Sequence, residues 1–476
     1  MPFIPVILWT DALIYLLLAL VVLFAWYVRG RPHLAAPWKR VAQSRSGMVA
    51  ATVLAAYLVV GLFDSIHFRL PLEGNGAKRV YSVEALSVLD VLVTPLRSRV
   101  EKTYSAPLAA YSFAKETVQL PDGKEIREFP RLKYGGANLR DPAQQRFADI
   151  TRRVFYSLML AALAWIVIAA MVVRLAAMRR QGNFRGTAIA LWRGESEIPW
   201  NAILTTLGVL MLCTFPVAIL SEHYHVFGTD KVGQDVLYLS LKSIRTGLII
   251  GTLTTLVMLP FALAMGIMAG YFRGWVDDSI QYFYTTLSSI PDVLLIAAAV
   301  LMMQVFMDSH PQRFPTITER ADFRLLFLCI ILGVTSWTSL CRLLRGETLK
   351  LRELEYIQAA HAFGVSHMRI MARHILPNVM HIVLITVVLS FSGLVLAEAV
   401  LTYVGVGVDP SMISFGNMIN SARLEMAREP AVWWSLFAAF LFMFVLVLAA
   451  NLFADAVRDA FDPRVRVAGG LPEQKR

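Results

Sequence analysis

The segment EYIQAAHAFGVSHMRIMARHILPN, at residues 355–378, is a polar stretch between two long apolar runs. Its first part contains good helix formers, and Tyr356, Ala360 and Phe363 follow the spacing of one helix face. Gly364 then stands where the end of a helix favours a residue with a left-handed backbone. The pattern predicts a short helix that presents a small apolar stripe and ends in a sharp turn.

A second helix is expected to follow this turn. Ser366 is placed to cap a helix that begins at the next residue, and Pro377 is expected to close it. The residue pattern leaves two interpretations open. The small residues allow a partner to approach closely, which suits a helix seated in a groove, whereas an ordinary amphipathic connector on the membrane surface has the same pattern.

The residues of this segment also resemble a known family. Gln358-Ala359-Ala360, Gly364 and Ile375-Leu376-Pro377 are similar to the EAA loop of the membrane subunits of binding-protein-dependent ABC importers, in the oligopeptide, dipeptide and nickel branch. The resemblance implies that residues 346–378 form a coupling loop whose helices dock onto ATPase subunits. Gln358 replaces the usual glutamate, so a role for that acid is not transferred. The coupling residues implied are Tyr356, Gln358, Ala359, Ala360, Phe363, Gly364 and Arg369.

The composition independently indicates a polytopic membrane protein. The chain has 476 residues, 57% of them hydrophobic and only 17% charged, with a mean hydropathy of +0.57. Its net charge of +11 comes from basic residues that gather in short loops beside apolar runs. The positive-inside rule accounts for these loops, so we expect no nucleic-acid partner. The three cysteines lie in or beside apolar runs without metal-ligand spacing, which excludes a zinc motif.

The apolar runs predict nine membrane spans. They lie at residues 4–28, 47–63, 154–173, 202–220 and 245–271, in a sixth run that contains Asp292, and at residues 325–344, 382–404 and 433–455. The basic loops place the N-terminus outside, and the coupling loop and the C-terminus in the cytoplasm. The first span is expected to be an uncleaved anchor, because it lacks a basic n-region and a small-residue cleavage site.

Five segments follow from these spans. They are two N-terminal spans joined by a basic cytoplasmic loop (1–63), an extracytoplasmic α+β insert (64–153), a third span with a second basic loop (154–198), a core (199–464) and a cytoplasmic tail (465–476). In the insert, Ser82 is expected to cap a helix that runs through Val93, and Pro121-Asp122-Gly123 is expected to form a hairpin turn. The insert contains no catalytic grouping, which favours a structural cap or a docking surface.

Other motifs extend the resemblance over residues 199–464. His225 to Asp235 contains a version of GTDxxGRD with Gln234 in place of arginine, the segment around Glu398 resembles LEASLSFLGLG, and residues 458–464 match RDALDPR. The resemblance therefore implies an all-α membrane protein with a type I ABC importer permease core of about six spans. About three extra spans and the small α+β insert precede this core.

Polar residues within the apolar runs suggest a substrate path. Pro291 is expected to kink the sixth span, and the polar side chains around it repeat at helical spacing on one face. An acid within a span is costly unless it faces water or a partner. A path lining is one interpretation, and helix capping or interhelical hydrogen bonding is the other. The candidate path residues are Ser288, Ser289, Asp292 and Glu398.

Glycine pairs in the fifth span indicate close helix packing. Gly247 with Gly251 and Gly266 with Gly270 are each four residues apart, the spacing that brings two helix backbones together in lipid.

The sequence contains no phosphate loop of the form GxxxxGK[ST], so ATP hydrolysis is not expected on this chain. It also lacks the series of intramembrane acids and histidines typical of proton-coupled carriers. Together with these absences, the resemblance implies a permease subunit of a peptide importer in the cytoplasmic (inner) membrane of a bacterium, without a cofactor of its own. The implied partners are two P-loop ATPase subunits that bind ATP and Mg, a second permease and an extracytoplasmic solute-binding protein. The alternative is a membrane scaffold or an enzyme acting through the insert.

Overall fold

A computed structural model describes residues 4–72, 80–82, 84–119, 125–180, 182–314 and 316–461. Helices dominate this part of the chain. They are α1 (Trp9–Arg29), α2 (Pro32–Gln43), α3 (Arg45–Ser65), α4 (Val88–Leu92), α5 (Thr94–Ser98), α6 (Pro142–Arg180), α7 (Phe184–Arg193), α8 (Trp200–Ser221), α9 (Val236–Phe272), α10 (Gly274–Ser289), α11 (Asp292–Ser309), α12 (Ile317–Arg352), α13 (Glu355–Ala362), α14 (His367–Ile370), α15 (Leu376–Tyr403), α16 (Phe415–Glu425) and α17 (Trp434–Phe461).

Within the described residues, nine helices are long and apolar enough to cross a membrane, which matches the predicted number of spans. They are α1, α3, α6, α8, α9, α11, α12, the continuous run of α14 and α15, and α17. Several helices extend well beyond the predicted spans, because helix formation continues past the apolar run. With 39 residues, α6 is about 58 Å long at 1.5 Å per residue, nearly twice the thickness of the hydrocarbon core.

Short antiparallel strands accompany the helices. They are β1 (Ile4–Val6), β2 (His67–Arg69), β3 (Pro71–Leu72), β4 (Val80–Tyr81), β5 (Leu86–Ser87), β6 (Glu116–Gln119) and β7 (Glu125–Glu128). One sheet has the order β1-β2-β5, and β3 pairs with β4. The predicted first span therefore starts too early, since residues 4–6 belong to this sheet and α1 begins at Trp9.

The region predicted as an α+β insert does contain both element types. The hairpin is confirmed, because Val118 of β6 pairs with Ile126 of β7, while its predicted turn at 121–123 lies outside the described residues. The predicted helix from Ser82 is wrong. The chain forms β5 first, and Ser87 caps α4 in a reciprocal capping box with Asp90.

The chain forms two compact units. The first comprises Met1–Val6, Lys39–Thr246 and Ile413–Leu452. Inside it, α6 and α8 pack closely, because Gly208 leaves room for the ring of Trp165, whose indole N–H donates to the carbonyl of Leu204 at 2.7 Å. The segment boundaries predicted at residues 63, 153 and 198 do not coincide with the limits of this compact unit. They remain predictions about where the family core begins and ends.

The second unit comprises Ile7–Trp38, Gly247–Met412 and Phe453–Arg476. Its core joins α9 and α12 with the start of α15, around buried residues such as Met258, Trp337, Leu344 and Val379. The predicted close packing of α9 is confirmed at Gly266. A Cβ there would lie 2.8 Å from the Cβ of Leu344 and 2.9 Å from the carbonyl oxygen of Cys341 on α12.

The sixth span differs from its prediction. Helix α10 ends at Ser289, an extended Ile290 follows, and Pro291 precedes α11, which begins at Asp292. The chain is thus broken into two helices where the sequence predicts one kinked helix. Proline disfavours the helical conformation at the residue before it, and here that preference ends the helix.

Candidate coupling site

The predicted helix–turn–helix is present at residues 355–370. Helix α13 ends in two characteristic backbone hydrogen bonds: Gly364 N–H donates to the carbonyl of His361 at 3.0 Å, and Val365 N–H to the carbonyl of Ala360 at 3.1 Å. This is a Schellman motif, which requires a left-handed residue at its centre. Gly364 has a φ of +76°, as the sequence predicts.

The face of α13 that is open to a partner is rotated from the predicted one. Ile357 is buried and Ala360 is half-buried against the core, so these residues hold the helix to its own unit. The exposed surface centres on Ala359 and Ala362, with Phe363, 87% exposed, at its edge. Tyr356, Gln358 and Arg369 are also exposed. We call the surface formed by Tyr356, Ala359, Ala362 and Phe363 the docking face.

Apolar contacts seat this loop on the second unit. Ile357 from α13, Ile370 from α14 and Ile375 from the following turn are all buried in the cluster that contains Trp337 and Tyr271. Each buried aliphatic side chain of this kind stabilises its position by about 1.5–3 kcal/mol. The docking face therefore lies on a helix whose other side is anchored in the second unit.

Polar contacts tie the same loop to the turn between α9 and α10. The hydroxyl of Tyr271 and Nδ1 of His367 are 2.8 Å apart, and Arg352 donates to the carbonyl of Tyr271 at 2.7 Å. Arg273 and Glu353 form an ion pair at 2.5 Å. The sequence did not single out Tyr271, Arg273, Arg352 or His367 as site residues.

A second clamp holds α10 to α12. Arg345 donates to both carboxylate oxygens of Asp277, at 2.6 and 2.7 Å. These hydrogen bonds outweigh burial and lower the pKa of Asp277. A bidentate pair of this geometry fixes orientation as well as distance, so it holds the start of α10 against the C-terminal end of α12.

The second helix of the loop does not end at Pro377. Helix α14 begins at His367 as predicted, but the side chain of Ser366 makes no capping hydrogen bond. A π-helical turn at Met371–Ile375 follows, and α15 continues to Tyr403. Proline ordinarily clashes with the carbonyl four residues earlier, and the wider turn before it removes that conflict. Helix α14, the π turn and the eighth span therefore form one continuous helix from His367 to Tyr403.

The candidate path residues do not form the predicted stripe. Ser288 and Ser289 lie in the last turn of α10, and Asp292 is the first residue of α11; all three are exposed. Ser288 accepts a hydrogen bond from Arg342 at 3.3 Å, and Ser289 donates to the carbonyl of Thr286 at 2.7 Å. The carboxylate of Asp292 lies at a helix N-terminus, where the helix dipole favours a negative charge.

Glu398 occupies a different environment. It is 1% exposed, and its carboxylate accepts a hydrogen bond from the hydroxyl of Thr402, one turn later on α15, at 2.9 Å. In this structure it is packed inside the second unit. The role in a substrate path stays a prediction for Ser288, Ser289, Asp292 and Glu398.

The loop between α8 and α9 is built around a buried histidine in the first unit. His225 contacts Asp235 at 2.7 Å and Glu101 at 3.4 Å. Burial alone would lower the pKa of His225, but the hydrogen bonds to the two acids outweigh it and raise that pKa to about 9. The turns at Gly228 and Gly233 both have positive φ, and a Cβ on Gly233 would lie 1.9 Å from the carbonyl oxygen of Glu101.

Glu101 comes from the predicted insert, and sequence reasoning missed it. Burial would raise the pKa of its carboxyl, but His225 and the backbone N–H groups of Tyr134, Lys133 and Gly135 lower it to about 2. The loop between α8 and α9 and the predicted insert therefore fold together as one structure.

The similarity to known proteins agrees with this geometry. Residues 262–467 match the family described as binding-protein-dependent transport system inner membrane component. An oligopeptide transport system permease protein of Mycobacterium tuberculosis is 32% identical over 242 residues, which cover 51% of this chain and 77% of that protein. The chain belongs to this family of inner membrane transport components. It is a multi-pass membrane protein.

Other members of the family carry related names. A glutathione transport system permease protein of Pectobacterium atrosepticum is 31% identical over 51% of this chain and 73% of its own length. A dipeptide transport system permease protein of Bacillus subtilis is 26% identical over 51% of this chain and 69% of its own length. In this chain, the region that matches the family, residues 262–467, includes α13, the Schellman turn and the π turn.

Proposed function

We propose that this family member is the membrane permease subunit of a peptide importer, and that separate ATPase subunits drive it through the docking face of α13. The observation that carries the proposal is the exposed apolar face of α13, a helix whose other side is buried in the second unit. A solvent-exposed phenylalanine beside small residues is typical of a surface that a partner covers. The family relationship makes an ATPase the expected partner.

The energy for transport would come from those partners. The chain has no phosphate loop, so ATP and Mg are assigned to two ATPase subunits. Their closure would move α13, and the buried isoleucines and the ion pairs around it would pass this movement to α9, α12 and α15. Shifting a two-state equilibrium from 1:99 to 99:1 requires about 5.5 kcal/mol of differential interaction, which a few docked side chains can supply.

A second permease and an extracytoplasmic solute-binding protein complete the proposed importer. The family description refers to binding-protein-dependent transport, and the named relatives act in oligopeptide, glutathione and dipeptide transport. Short peptides are therefore the proposed solute class. The basic loops support an orientation with the N-terminus outside and the C-terminus in the cytoplasm of a bacterial cell.

Affinity purification of the tagged protein in mild detergent tests the proposal. We expect a second permease and two P-loop ATPases to co-purify, with ATPase activity in the eluate. Phe363→Glu should abolish recovery of the ATPases, because burying a new charge costs far more than burying the ring gains.

Val232→Glu is the matched control. Val232 is also an exposed apolar residue, 53% accessible, but it lies in the loop between α8 and α9, and its substitution should leave the ATPases bound. Purification of the unaltered chain without any ATPase would contradict the proposal and would direct attention to the insert.

A further inference from the structure

A polar groove lies beside the docking face. It has a volume of about 450 Å³ and is formed where the end of α9, the end of α12, α13 and α14 meet. Its lining residues are Tyr271, Phe272, Arg273, Arg352, Glu353, Ile357, Gln358, His361 and His367. Gln358 and His361 lie on the opposite flank of α13 from Tyr356 and Phe363, since successive residues turn by about 100° around a helix. The groove therefore lies away from Tyr356 and Phe363 but adjoins the docking face at Ala362, which is about 40° from Gln358 around the helix.

The groove carries more positive than negative side chains. Two guanidinium groups, those of Arg273 and Arg352, face one carboxylate, that of Glu353. Each of the two arginines makes a contact in the structure: Arg352 donates to the carbonyl of Tyr271 at 2.7 Å, and Arg273 pairs with Glu353 at 2.5 Å. A guanidinium has five N–H donors, so each of these contacts leaves donors for a further acceptor.

Aromatic rings and an amide complete the lining. The ring of His367 lies 5.6 Å from that of Phe272 and 5.3 Å from that of His361, measured between centroids. Gln358 donates to the carbonyl of Glu353 at 3.2 Å, which places its amide at the edge of the same groove. The lining therefore offers nitrogen donors that suit an anion.

The backbone of Arg273 is strained. It has a φ of +56° and a ψ of −169°, a region that residues other than glycine rarely occupy. Strain of this kind persists only where surrounding contacts fix it, and it concentrates at functional sites and ligand clamps. The side chain of this residue lines the groove.

We propose that this groove binds a phosphate-bearing anion, held between the guanidinium groups of Arg273 and Arg352 with His361 and His367 as further donors. Planar guanidinium groups recognise phosphate oxygens through paired hydrogen bonds. Among the described residues, no group of three or more His, Cys, Asp or Glu could hold a metal ion, so the donors of the groove fit an anion better than a cation. The phosphate can belong to a soluble metabolite or to a lipid headgroup. An occupied groove would fasten α13 to the turn between α9 and α10.

The test measures binding of inorganic pyrophosphate by calorimetry to the purified chain in phosphatidylcholine nanodiscs. It needs no ATPase partner, so its result is independent of the proposed importer function. We expect saturable binding that Arg273→Gln weakens about three- to tenfold, as the loss of one charged contact at a partly exposed site predicts.

Glu353→Gln is the matched variant. It breaks the same ion pair as Arg273→Gln, but it removes a negative charge from the groove instead of a positive one. It should tighten pyrophosphate binding about threefold, whereas His361→Gln should weaken it. If the ion pair matters only for folding, Arg273→Gln and Glu353→Gln would change binding in the same direction, and that outcome would overturn the proposal. Absence of saturable binding to the unaltered chain would do so as well.

Nanodiscs with equal parts of phosphatidylcholine and phosphatidylglycerol distinguish the two sources. If a lipid headgroup fills the groove, native mass spectrometry detects phosphatidylglycerol on the unaltered chain and less of it on Arg273→Gln. If a soluble anion is the ligand, the unaltered chain and Arg273→Gln retain the same amount of phosphatidylglycerol. Either result supports a phosphate site.

Discussion

Glycine at position 364 is required by the backbone and not by packing. Among the described residues, no atom outside its two chain neighbours lies within 4 Å of a Cβ added to Gly364, whereas its φ of +76° disfavours an L side chain. A β-branched residue there must either strain the turn or open it, at a cost of about 1–2 kcal/mol. The turn sets the angle at which α13 is presented to a partner.

We therefore expect Gly364→Val to reduce peptide uptake by about tenfold, the factor that corresponds to about 1.4 kcal/mol. Hydrolysis of ATP by the purified importer should be less affected, because the ATPase sites are on other subunits. Gly364→Asn is the control, since asparagine tolerates the left-handed conformation. Equal uptake by Gly364→Val and the unaltered protein, measured in proteoliposomes with ATP hydrolysis recorded in parallel, would count against a coupling role.

His225 predicts a pH dependence of stability. Its pKa is raised from 6.5 to about 9 in the folded state, so the stabilisation is fully present below pH 6.5 and is lost as the pH rises through 9. The lowered pKa of Glu101 acts in the opposite sense, since its contribution is present above pH 4.5 and is lost as the pH falls through about 2. Both contributions are complete near pH 6.

We expect thermal unfolding in detergent to occur at a higher temperature at pH 6 than at pH 9.5. His225→Gln should remove about 2–3 kcal/mol at pH 6 and much less at pH 9.5. The informative quantity is the difference between the unaltered chain and the variant at each pH, because other groups also titrate above pH 9. A constant difference across this window would show that the imidazole is not charged in the folded protein.

At the scale of helices, the contact between α9 and α12 depends on small residues. Gly266→Ala would place its Cβ 2.8 Å from the Cβ of Leu344. Such overpacking costs about 1–3 kcal/mol. Gly346→Ala on α12 is the control, because no atom lies within 4 Å of its added Cβ and alanine stabilises a helix by up to about 1 kcal/mol relative to glycine.

Chemical unfolding of the two variants in the same detergent measures this difference. Destabilisation by Gly266→Ala with a neutral or stabilising effect of Gly346→Ala is the expected pair of results. Similar effects of both substitutions would mean that helix propensity, and not the close packing of α9 on α12, decides the outcome.

Two prolines show why helix boundaries were harder to predict than helices. Both Pro291 and Pro377 remove a backbone donor, yet the chain breaks before Pro291 and continues through Pro377. The difference lies in the surroundings. Before Pro377 the π turn is held by Ile370 and Ile375 in the core, whereas Ile290 before Pro291 is exposed. Local sequence does not contain this information.

At the scale of the whole molecule, an N-terminal helix outside the matched family region is part of the second unit. The backbone N–H of Thr10, at the start of α1, donates to the carboxylate of Asp322 on α12 at 3.3 Å, and the hydroxyl of Thr10 also bonds to that carboxylate. Both residues are buried. This extra helix therefore packs on a helix of the core, instead of forming a separate module.

The orientation of the chain in the membrane is testable with single cysteines in a background in which Cys213 is replaced by alanine. Cys329 and Cys341 are buried and can remain. A membrane-impermeant maleimide added to intact spheroplasts should label Val232→Cys but not Ser366→Cys, because the positive-inside rule places the two loops on opposite sides. Permeabilised cells are the control, in which both positions should react. Labelling of Ser366→Cys in intact spheroplasts would exclude docking of a cytoplasmic ATPase on α13.

The sequence by itself determined that the chain is a polytopic membrane protein, how many spans it has and where the helix–turn–helix at residues 355–370 lies. Hydrophobic length is a property of each apolar run alone, since backbone hydrogen bonds within the bilayer must be satisfied inside each helix. The left-handed conformation of Gly364 was predictable for a similar reason, because the end of a helix requires it through local backbone geometry alone. The family motifs, such as the string from Gln358 to Gly364, likewise lie in short continuous stretches.

Only the tertiary structure decided which residues meet. It placed Glu101 against His225, Asp277 against Arg345, and Arg273 and Arg352 in one groove. It also rotated α13 so that Ala359 and Ala362 lie at the centre of the docking face, because Ile357 is buried in the core. The contacts join residues that are far apart in the chain, and the orientation of α13 depends on which of its faces the core covers. The periodicity of residues within one helix specifies neither of these.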